Sequence, residues 1–375
     1  MSAYGLGLGL GMTTIVAAVA RGSAIDVVPA GGDPASVAAP ALAYATHGGR
    51  LATGADARRR AIGSPDRLIS RVLHNVASSP SVSPGHPADA ALATEGRADD
   101  PVRALRAMVQ GVITAVAAGQ AGDPARLTVT HPTAWSAEQV AALADAVRPS
   151  VPGGGALQLI PSAVAVAVDY TVDHPLVDGA AVGVVDVGAT GFEAAVVGRR
   201  GTELVLLSPR VDHGPTGGDQ FDDAVLQLVD RAADGAVTAL NQATTLQAQI
   251  ARDRLRRDCR LAKETLSIDN AVTITACLPT GTVTVRLTRT AFDDAIRARA
   301  EALAETISSA LGGAPAAAGL QAIVLTGGST QIALLQRLLG RVVSGPLEVA
   351  RFAAARGAAI LAAPALSDAP AGTAR

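Results

Sequence analysis

Apolar residues along this chain fall into short runs that alternate with segments of helical periodicity. Residues 127–130 predict a strand, and a helix follows from near Ser136, which caps it with Glu138 in the first turn. Strands 283–287 and 322–325 lead into helices 290–310 and 330–339, and residues 221–262 are mostly helical with an interruption at Gly235. Strands that alternate with helices predict an α/β fold.

The chain repeats one pattern 177 positions apart. Residues 9–19 (GLGMTTIVAAV) align without a gap with residues 186–196 (DVGATGFEAAV). Each copy is an apolar run, a tight turn and a second apolar run, which predicts a β-hairpin. Such turns direct backbone N–H groups outward, so two facing hairpins could hold a chain of phosphates. The copies differ at a carboxylate, because the position of Asp186 is taken by Gly9 in the first copy.

Two more glycine turns precede predicted helices. Residues 324–330 (VLTGGST) combine a strand end, a turn and a helix start, and residues 214–219 (GPTGGD) precede the helix from Phe221, which Asp219 could cap. Helix N-termini carry partial positive charge, and glycine lets a ring or a phosphate lie against the main chain. Taken singly, such a turn is more often a strand-to-helix connection without a ligand.

Length and composition narrow the class of protein. The 375 residues fit two domains, and segments 78–100, 153–155, 312–319 and 362–375 predict loops and a tail. A formal charge of −2 gives no basic surface for nucleic acid. The two cysteines, Cys259 and Cys277, have no metal-ligand spacing, and we expect the protein to reside in a reducing cytoplasm. The apolar stretch 6–20 is rich in glycine and has no basic region before it, so we expect neither a signal peptide nor a membrane span.

One lysine stands out among the basic residues. Of the 31 lysines and arginines only Lys263 is lysine. A compact ammonium and a wide guanidinium are not interchangeable beside a ligand, so this position could need a lysine. The alternative is a chance survivor on a solvated helix face.

The order of these motifs resembles the nucleotide-binding domain of DnaK-type heat-shock chaperones, the heat-shock protein 70 family, within the actin and sugar-kinase superfamily. The resemblance covers about residues 5–363. The segments that resemble the family are, in this order, the two hairpins, the Gly-Gly-Asp turn, residues 255–267 (LRRDCRLAKETLS) and the Gly-Gly-Ser turn. Residues 128–132 (TVTHP) and 356–359 (RGAA) support the resemblance.

The resemblance implies an actin-like ATPase fold, with two lobes of duplicated ribonuclease-H-like topology around a nucleotide cleft. Lobe I would be residues 1–175, with 346–368 returning to it and 27–102 as a small subdomain. Lobe II would be residues 176–345, with 216–285 as its small subdomain, and residues 369–375 would form a flexible tail.

The resemblance also implies ATP or ADP as the ligand, with magnesium. The implied phosphate-loop positions are Gly11, Thr13, Gly188, Gly217 and Gly218. The implied adenosine contacts are Lys263, Ser267, Gly327, Gly328 and Ser329. Asp186 falls on a catalytic and metal-site carboxylate, and Arg58 on the catalytic lysine position.

Other positions depart from the family pattern. Gly9 and Ser162 replace carboxylates, and Gly191 replaces the threonine of the second hairpin. On the adenosine side, Arg260 and Arg351 replace acids, and Glu264 and Gln331 replace arginines. Losing one element of the hydrolytic machinery commonly costs a few kcal/mol of transition-state stabilisation, and several are lost here.

We therefore expect a DnaK-like nucleotide-binding domain, without a peptide-binding domain, that binds nucleotide with weak or absent hydrolysis. Lys263 is expected to be solvated in the cleft, so its removal would weaken binding and change stability little. The alternative is a pseudo-ATPase scaffold that acts through a protein partner or co-chaperone. A filament-forming or sugar-kinase relative is disfavoured because neither class supplies the Leu-Ala-Lys-x-x-Leu-Ser stretch.

Overall fold

The computed structural model describes residues 3–31, 36–78, 100–207, 212–278, 281–313 and 319–363. Most of the predicted 78–100 loop, the middle of the 312–319 break and the tail from residue 364, including the predicted flexible end 369–375, lie outside the described residues. The chain divides into two compact units. The first comprises Met1–Gly179, Val197–Leu206 and Phe352–Arg375, and the second Ala180–Val196 and Leu207–Arg351.

Strands and helices alternate through the described chain. The strands are β1 (Gly5–Leu10), β2 (Thr14–Arg21), β3 (Ala24–Val28), β4 (Ala38–Pro40), β5 (Ala43–Ala45), β6 (Leu51–Thr53), β7 (Leu68–Ile69), β8 (Arg126–His131), β9 (Ala156–Pro161), β10 (Ala181–Val187), β11 (Phe192–Arg200), β12 (Glu203–Leu206), β13 (Asp212–Gly214), β14 (Ala271–Leu278), β15 (Gly281–Thr288), β16 (Leu320–Thr326) and β17 (Leu347–Val349). The α-helices are α1 (Gly54–Arg60), α2 (Val72–Ser78), α3 (Pro101–Gln120), α4 (Ala137–Val147), α5 (Ser162–Asp173), α6 (Gly218–Ala232), α7 (Ala236–Gln242), α8 (Leu246–Leu266), α9 (Arg289–Gly312), α10 (Ala333–Val342) and α11 (Ala353–Ala362).

The two larger sheets have the same strand order. The first is β3-β2-β1-β8-β9 with β4 against β2, and the second is β12-β11-β10-β16-β17 with β13 against β11. β1 pairs with β8 in parallel, as β10 does with β16, and the pairs β2–β3 and β11–β12 are both antiparallel. The predicted α/β fold with a duplicated topology is confirmed. Its two copies begin with the two predicted hairpins.

Alternate glycines on β1 allow a helix to pack directly against the strand. A methyl group at Gly5 would lie 2.2 Å from the Ala362 carbonyl oxygen, and one at Gly7 would lie 2.1 Å from the Ala359 nitrogen, both in α11. The small side chains at 355, 358, 359 and 362 of α11 are buried at this contact. On the other side of α11, Arg356 Nε donates to Asp169 Oδ1 of α5 at 2.7 Å. The glycines that make the N-terminal stretch a poor helix are thus required by strand–helix packing.

One described helix, α3, is long and apolar enough to cross a membrane. Its inner face is buried in the core of the first unit, through side chains such as Leu105, Val109 and Ile113. Core helices of globular domains pass the same length and composition test, so α3 is weak support for a membrane span.

The sequence patterns left several elements unpredicted, among them α3, β9 and strand β14, which pairs with β15. The helix expected at residue 330 begins as a 3₁₀ turn at Gly328–Gln331, and α10 follows from Ala333. The expected cap by Asp219 is wrong, because α6 has Gly217 at its N-cap and the Asp219 carboxylate instead accepts from Arg260. By contrast, Ser136 caps α4 as predicted, in a capping box with Gln139.

Candidate nucleotide site

The first hairpin, between β1 and β2, closes with one backbone hydrogen bond. Gly11 N–H donates to the Thr14 carbonyl at 2.9 Å, and the Thr13 carbonyl accepts from Ala41 N–H at 2.9 Å. Met12 and Thr13 at the tip are partly exposed. Their amides have no hydrogen-bond partner among the described residues.

The second hairpin, between β10 and β11, closes in the same way. Gly188 N–H donates to the Gly191 carbonyl at 2.9 Å, the same pair of positions within the repeat. In the described part of the chain the tip amides of Ala189 and Thr190 also lack a partner. Two adjacent unpartnered N–H groups on an exposed tight turn are the donors that an anion such as phosphate uses. Each hairpin presents such a pair.

The Gly-Gly-Asp turn packs against the tip of the second hairpin. Gly218 N–H donates to the Gly188 carbonyl at 3.0 Å, and Asp219 N–H donates to the Ala189 carbonyl at 2.7 Å. A methyl group at Gly217 would lie 2.6 Å from the Gly191 nitrogen and 2.7 Å from the Ala189 oxygen. Close packing therefore requires these glycines. The Gly218 amide, predicted to face phosphate, is already bonded to the hairpin.

Lys263 of α8 reaches the same turn. Its Nζ lies 2.8 Å from Asp222 Oδ1 of α6 and donates to the Gly218 carbonyl at 3.0 Å. Lys263 and Asp222 are each only 8% exposed, so the expectation of a solvated lysine is wrong. Arg260, one turn earlier on α8, donates to Asp222 Oδ2 at 3.2 Å and to Asp219 Oδ1 at 3.2 Å.

The Gly-Gly-Ser turn meets the cluster from β16. Ser329 Oγ donates to the Gly188 carbonyl at 2.9 Å, so that carbonyl accepts two hydrogen bonds. Gly327 has a φ of +86°, and a methyl group there would lie 2.3 Å from Asp186 Oδ1. Apart from the adjacent residues of the chain, no atom of the described residues lies within 4 Å of the corresponding methyl position at Gly328. The turn fits closely against the end of β10 at Gly327 and is open at Gly328.

Two carboxylates lie near each other in the second hairpin. Burial, and to a lesser extent the negative charge of Glu193 on β11, raises the pKa of Asp186, at the end of β10, to about 7. Among the described residues no group of three or more His, Cys, Asp or Glu side chains could hold a metal ion. A metal here would take its remaining ligands from a bound phosphate and water.

The first unit holds three positions, Gly9, Arg58 and Ser162, at which the resemblance implies a departure from the family pattern. A methyl group at Gly9 would lie 3.3 Å from both the nitrogen and Cβ of Ala355, a tight fit. Arg58 is exposed on α1. The Ser162 hydroxyl, at the start of α5, lies 3.1 Å from Thr133 Oγ1, and Thr133 Oγ1 accepts from the Ala163 amide.

Most predicted positions of the second unit meet in one cluster. These positions are Asp186, Gly188, Gly217, Gly218, Lys263, Gly327 and Ser329. Ser267 instead ends α8, where its Oγ donates to the Lys263 carbonyl at 3.2 Å. Gly11, Thr13 and Arg58 belong to the first unit. The sequence analysis missed Asp222 and Glu193. The single lysine in an arginine-rich chain was a signal for an acidic partner of Lys263. Asp222 follows Asp219 by three residues on one face of α6, which was a signal for Asp222 as that partner.

A duplicated α/β fold with a glycine-turned hairpin in each half, and with strand-to-helix turns gathered on the second hairpin, defines an actin-like ATPase domain. The family model for Hsp70 protein matches residues 5–367. The chain therefore belongs to the Hsp70 family, and the match spans the region of the family's nucleotide-binding domain.

Proposed function

We propose that this domain binds ATP or ADP through the hairpin tips and hydrolyses ATP weakly or not at all. The observation that carries the proposal is the shared hairpin geometry. In each hairpin a Gly N–H closes the turn, and the two tip amides, Met12 and Thr13 or Ala189 and Thr190, have no partner among the described residues. Unsatisfied donors on a rigid turn gain a hydrogen bond when phosphate arrives.

Magnesium fits the second hairpin. The raised pKa of Asp186 reflects a carboxylate that is costly to ionise in its surroundings, and Glu193 adds like charge. Magnesium is usually held by one or two carboxylates together with substrate phosphates and water. Asp186 and Glu193 would therefore hold it, and the bound ion would neutralise charge on the phosphates. Gly9 gives the first hairpin no carboxylate for the same task.

The residues that would support hydrolysis are largely missing. At Ser162 a hydroxyl engaged with Thr133 stands where the family has a carboxylate. At Gly191 a side chain is excluded, because a methyl group would lie 2.3 Å from the Gly214 carbonyl oxygen. We expect steady-state hydrolysis at least about tenfold below an intact relative, equivalent to about 1.4 kcal/mol in the barrier.

Calorimetry with ATP and ADP, each with and without magnesium, tests the binding. Binding of ADP that strengthens with magnesium, together with slow turnover in a phosphate-release assay, would support the proposal. A magnesium-dependent rate equal to that of an intact relative would contradict the hydrolysis part. If the protein bound neither ATP nor ADP, both the binding part and the hydrolysis part of the proposal would be contradicted.

A second candidate is a scaffold that no longer needs nucleotide. It is favoured by the internal bonding of the second-unit cluster, where the Gly218 amide, the Lys263 ammonium and the Ser329 hydroxyl all bond to protein atoms. Such a domain would act through a protein partner or co-chaperone. If calorimetry detects no nucleotide, this becomes the better account of the fold.

A further inference from the structure

We propose that Lys263 is a positioning residue of the nucleotide site and does not contact adenosine. Paired with Asp222, it holds Gly218 in place, and Gly218 in turn holds the second hairpin tip in the shape that phosphate needs. This inference rests on the proposed nucleotide binding and names a role within the same site.

The ammonium is enclosed between two protein acceptors. Lys263 Nζ lies 2.8 Å from Asp222 Oδ1 and 3.0 Å from the Gly218 carbonyl oxygen. A methyl group at Gly218 would lie 2.9 Å from the same Nζ, so the ammonium is packed against the main chain. Among the described residues Asp222 Oδ1 has no well-directed hydrogen bond, and the nearby positive charge offsets its burial. Two of the three N–H groups of the ammonium therefore point to protein acceptors of the turn and of α6.

Planar peptide units carry this restraint to the tip. The Gly188 carbonyl accepts from Gly218 N–H and from Ser329 Oγ, and the Ala189 carbonyl accepts from Asp219 N–H. In a trans peptide the carbonyl and the following N–H point in opposite directions. Fixing the carbonyls of 188 and 189 therefore fixes the N–H groups of Ala189 and Thr190. These are the tip amides that have no partner in the described chain.

The charge pair is better explained by geometry than by stability. A buried ion pair is often no more stabilising than apolar residues of the same volume, since both charges lose their water. A guanidinium is wider than the ammonium that fits between Asp222 and Gly218, which accounts for the single lysine in this chain. The exposed pair Arg256–Asp223, at 3.1 Å, links the same two helices. The Arg256–Asp223 pair would therefore still link α8 to α6 when Lys263 is replaced.

The test compares ligands that differ in phosphate. We would titrate ADP, adenosine and pyrophosphate, with magnesium, into Lys263→Met, Asp222→Asn and the double variant. Arg256→Met provides the matched control. We expect each single variant to lose roughly tenfold or more in ADP and pyrophosphate affinity, as for loss of a preorganised site, with adenosine affinity unchanged. The double variant should be no weaker than Lys263→Met, because both substitutions break one restraint. Arg256→Met should bind like the wild type.

Three outcomes would overturn the inference. One is normal ADP affinity in Asp222→Asn alongside a loss in Lys263→Met, since the Lys263–Asp222 pair would then not be the restraint that holds Gly218. Another is an equal loss of adenosine and ADP affinity. The third is absence of ADP binding by the wild type. This outcome would contradict the proposed function as well, whereas the first two would contradict only the role of Lys263. If Lys263→Met fails to fold, Ser329→Ala removes a second donor from the Gly188 carbonyl without leaving a buried charge. It should show the same phosphate-selective loss, and normal pyrophosphate affinity in it would contradict the relay.

Discussion

Replacing Asp186 by asparagine should stabilise the ligand-free protein, and the gain should depend on pH. In the folded state burial and the charge of Glu193 raise the pKa of Asp186 from 3.8 to about 7. An acid whose folded pKa is raised resists ionisation, so folding is disfavoured wherever the unfolded chain has already lost this proton. Asparagine keeps the shape and has no proton to lose.

The size and sign of the effect follow from linkage. Well below the unfolded pKa of 3.8 both states are protonated and Asp186 costs nothing. As the pH rises toward 7 the unfolded state loses its proton first, so stability falls, and above 7 the cost is constant. A shift of about 3 units at 1.36 kcal/mol each gives an upper limit of about 4 kcal/mol. Because Asp186 keeps part of its surface exposed, we expect a gain for Asp186→Asn of about 2 kcal/mol.

Urea unfolding at several pH values between about 5 and 8, with chelator and without nucleotide, measures this gain. Asp253→Asn is the control, because it makes the same change of charge at an exposed position on α8. The difference in free energy of unfolding between Asp186→Asn and the wild type should widen as the pH rises to about 7, whereas Asp253→Asn should follow the wild type. Glu193→Gln should give a smaller gain, since Glu193 is the lesser cause.

A constant difference between Asp186→Asn and the wild type across this pH range would refute the reasoning. So would an asparagine variant that is less stable at every pH, because the carboxylate would then be held by favourable contacts.

Three further substitutions test the packing of glycines. Gly327→Ala places a methyl group 2.3 Å from Asp186 Oδ1 at a φ of +86°, so urea unfolding should show a loss of about 2 kcal/mol or more, against little change for the open neighbour Gly328→Ala. Gly9→Asp restores the carboxylate of the repeat and should raise magnesium-dependent ADP affinity in calorimetry. The 3.3 Å contact with α11 should lower the melting temperature slightly. Unchanged affinity would mean that this hairpin does not use metal. Gly357→Ala would put a methyl group 1.8 Å from the Ala165 carbonyl oxygen, and a normal melting temperature would contradict the described packing of α11 on α5.

The alternation of strands and helices predicted the α/β fold, and the family resemblance implied its duplicated topology. The repeat predicted the two hairpins, and the two sheets of equal strand order confirm the fold. Strand β14 was missed although its sequence alternates, with Ile274, Ala276 and Leu278 buried between the exposed Thr273, Thr275 and Cys277. Packing against α8 and pairing with β15 hold that strand in place.

The site was harder to predict because its residues bond to and pack against one another. Glycine at 217 and 218 signalled a phosphate loop, yet the closest neighbours of both glycines are hairpin and side-chain atoms of the protein. The burial of Lys263 depends on Asp222, a residue on another helix that no local pattern connects to it. Motif spacing located the cluster, and only tertiary contacts showed which polar groups were already satisfied.

The groups that remain unsatisfied are the ones a magnesium–phosphate ligand would satisfy. The carbonyls of Gly188 and Ala189 are bonded to protein, whereas the adjoining tip amides have no partner among the residues that the structure describes. The Asp186 carboxylate is costly to ionise in the ligand-free protein, and a bound cation would relieve that cost. A scaffold with no ligand would be more stable with these features removed. Under the proposed function, Gly9, Ser162 and Gly191 would stand where the family pattern has groups that support turnover, and the binding groups of the hairpin would be kept. Binding with little turnover is the proposal that accounts for both sets of residues.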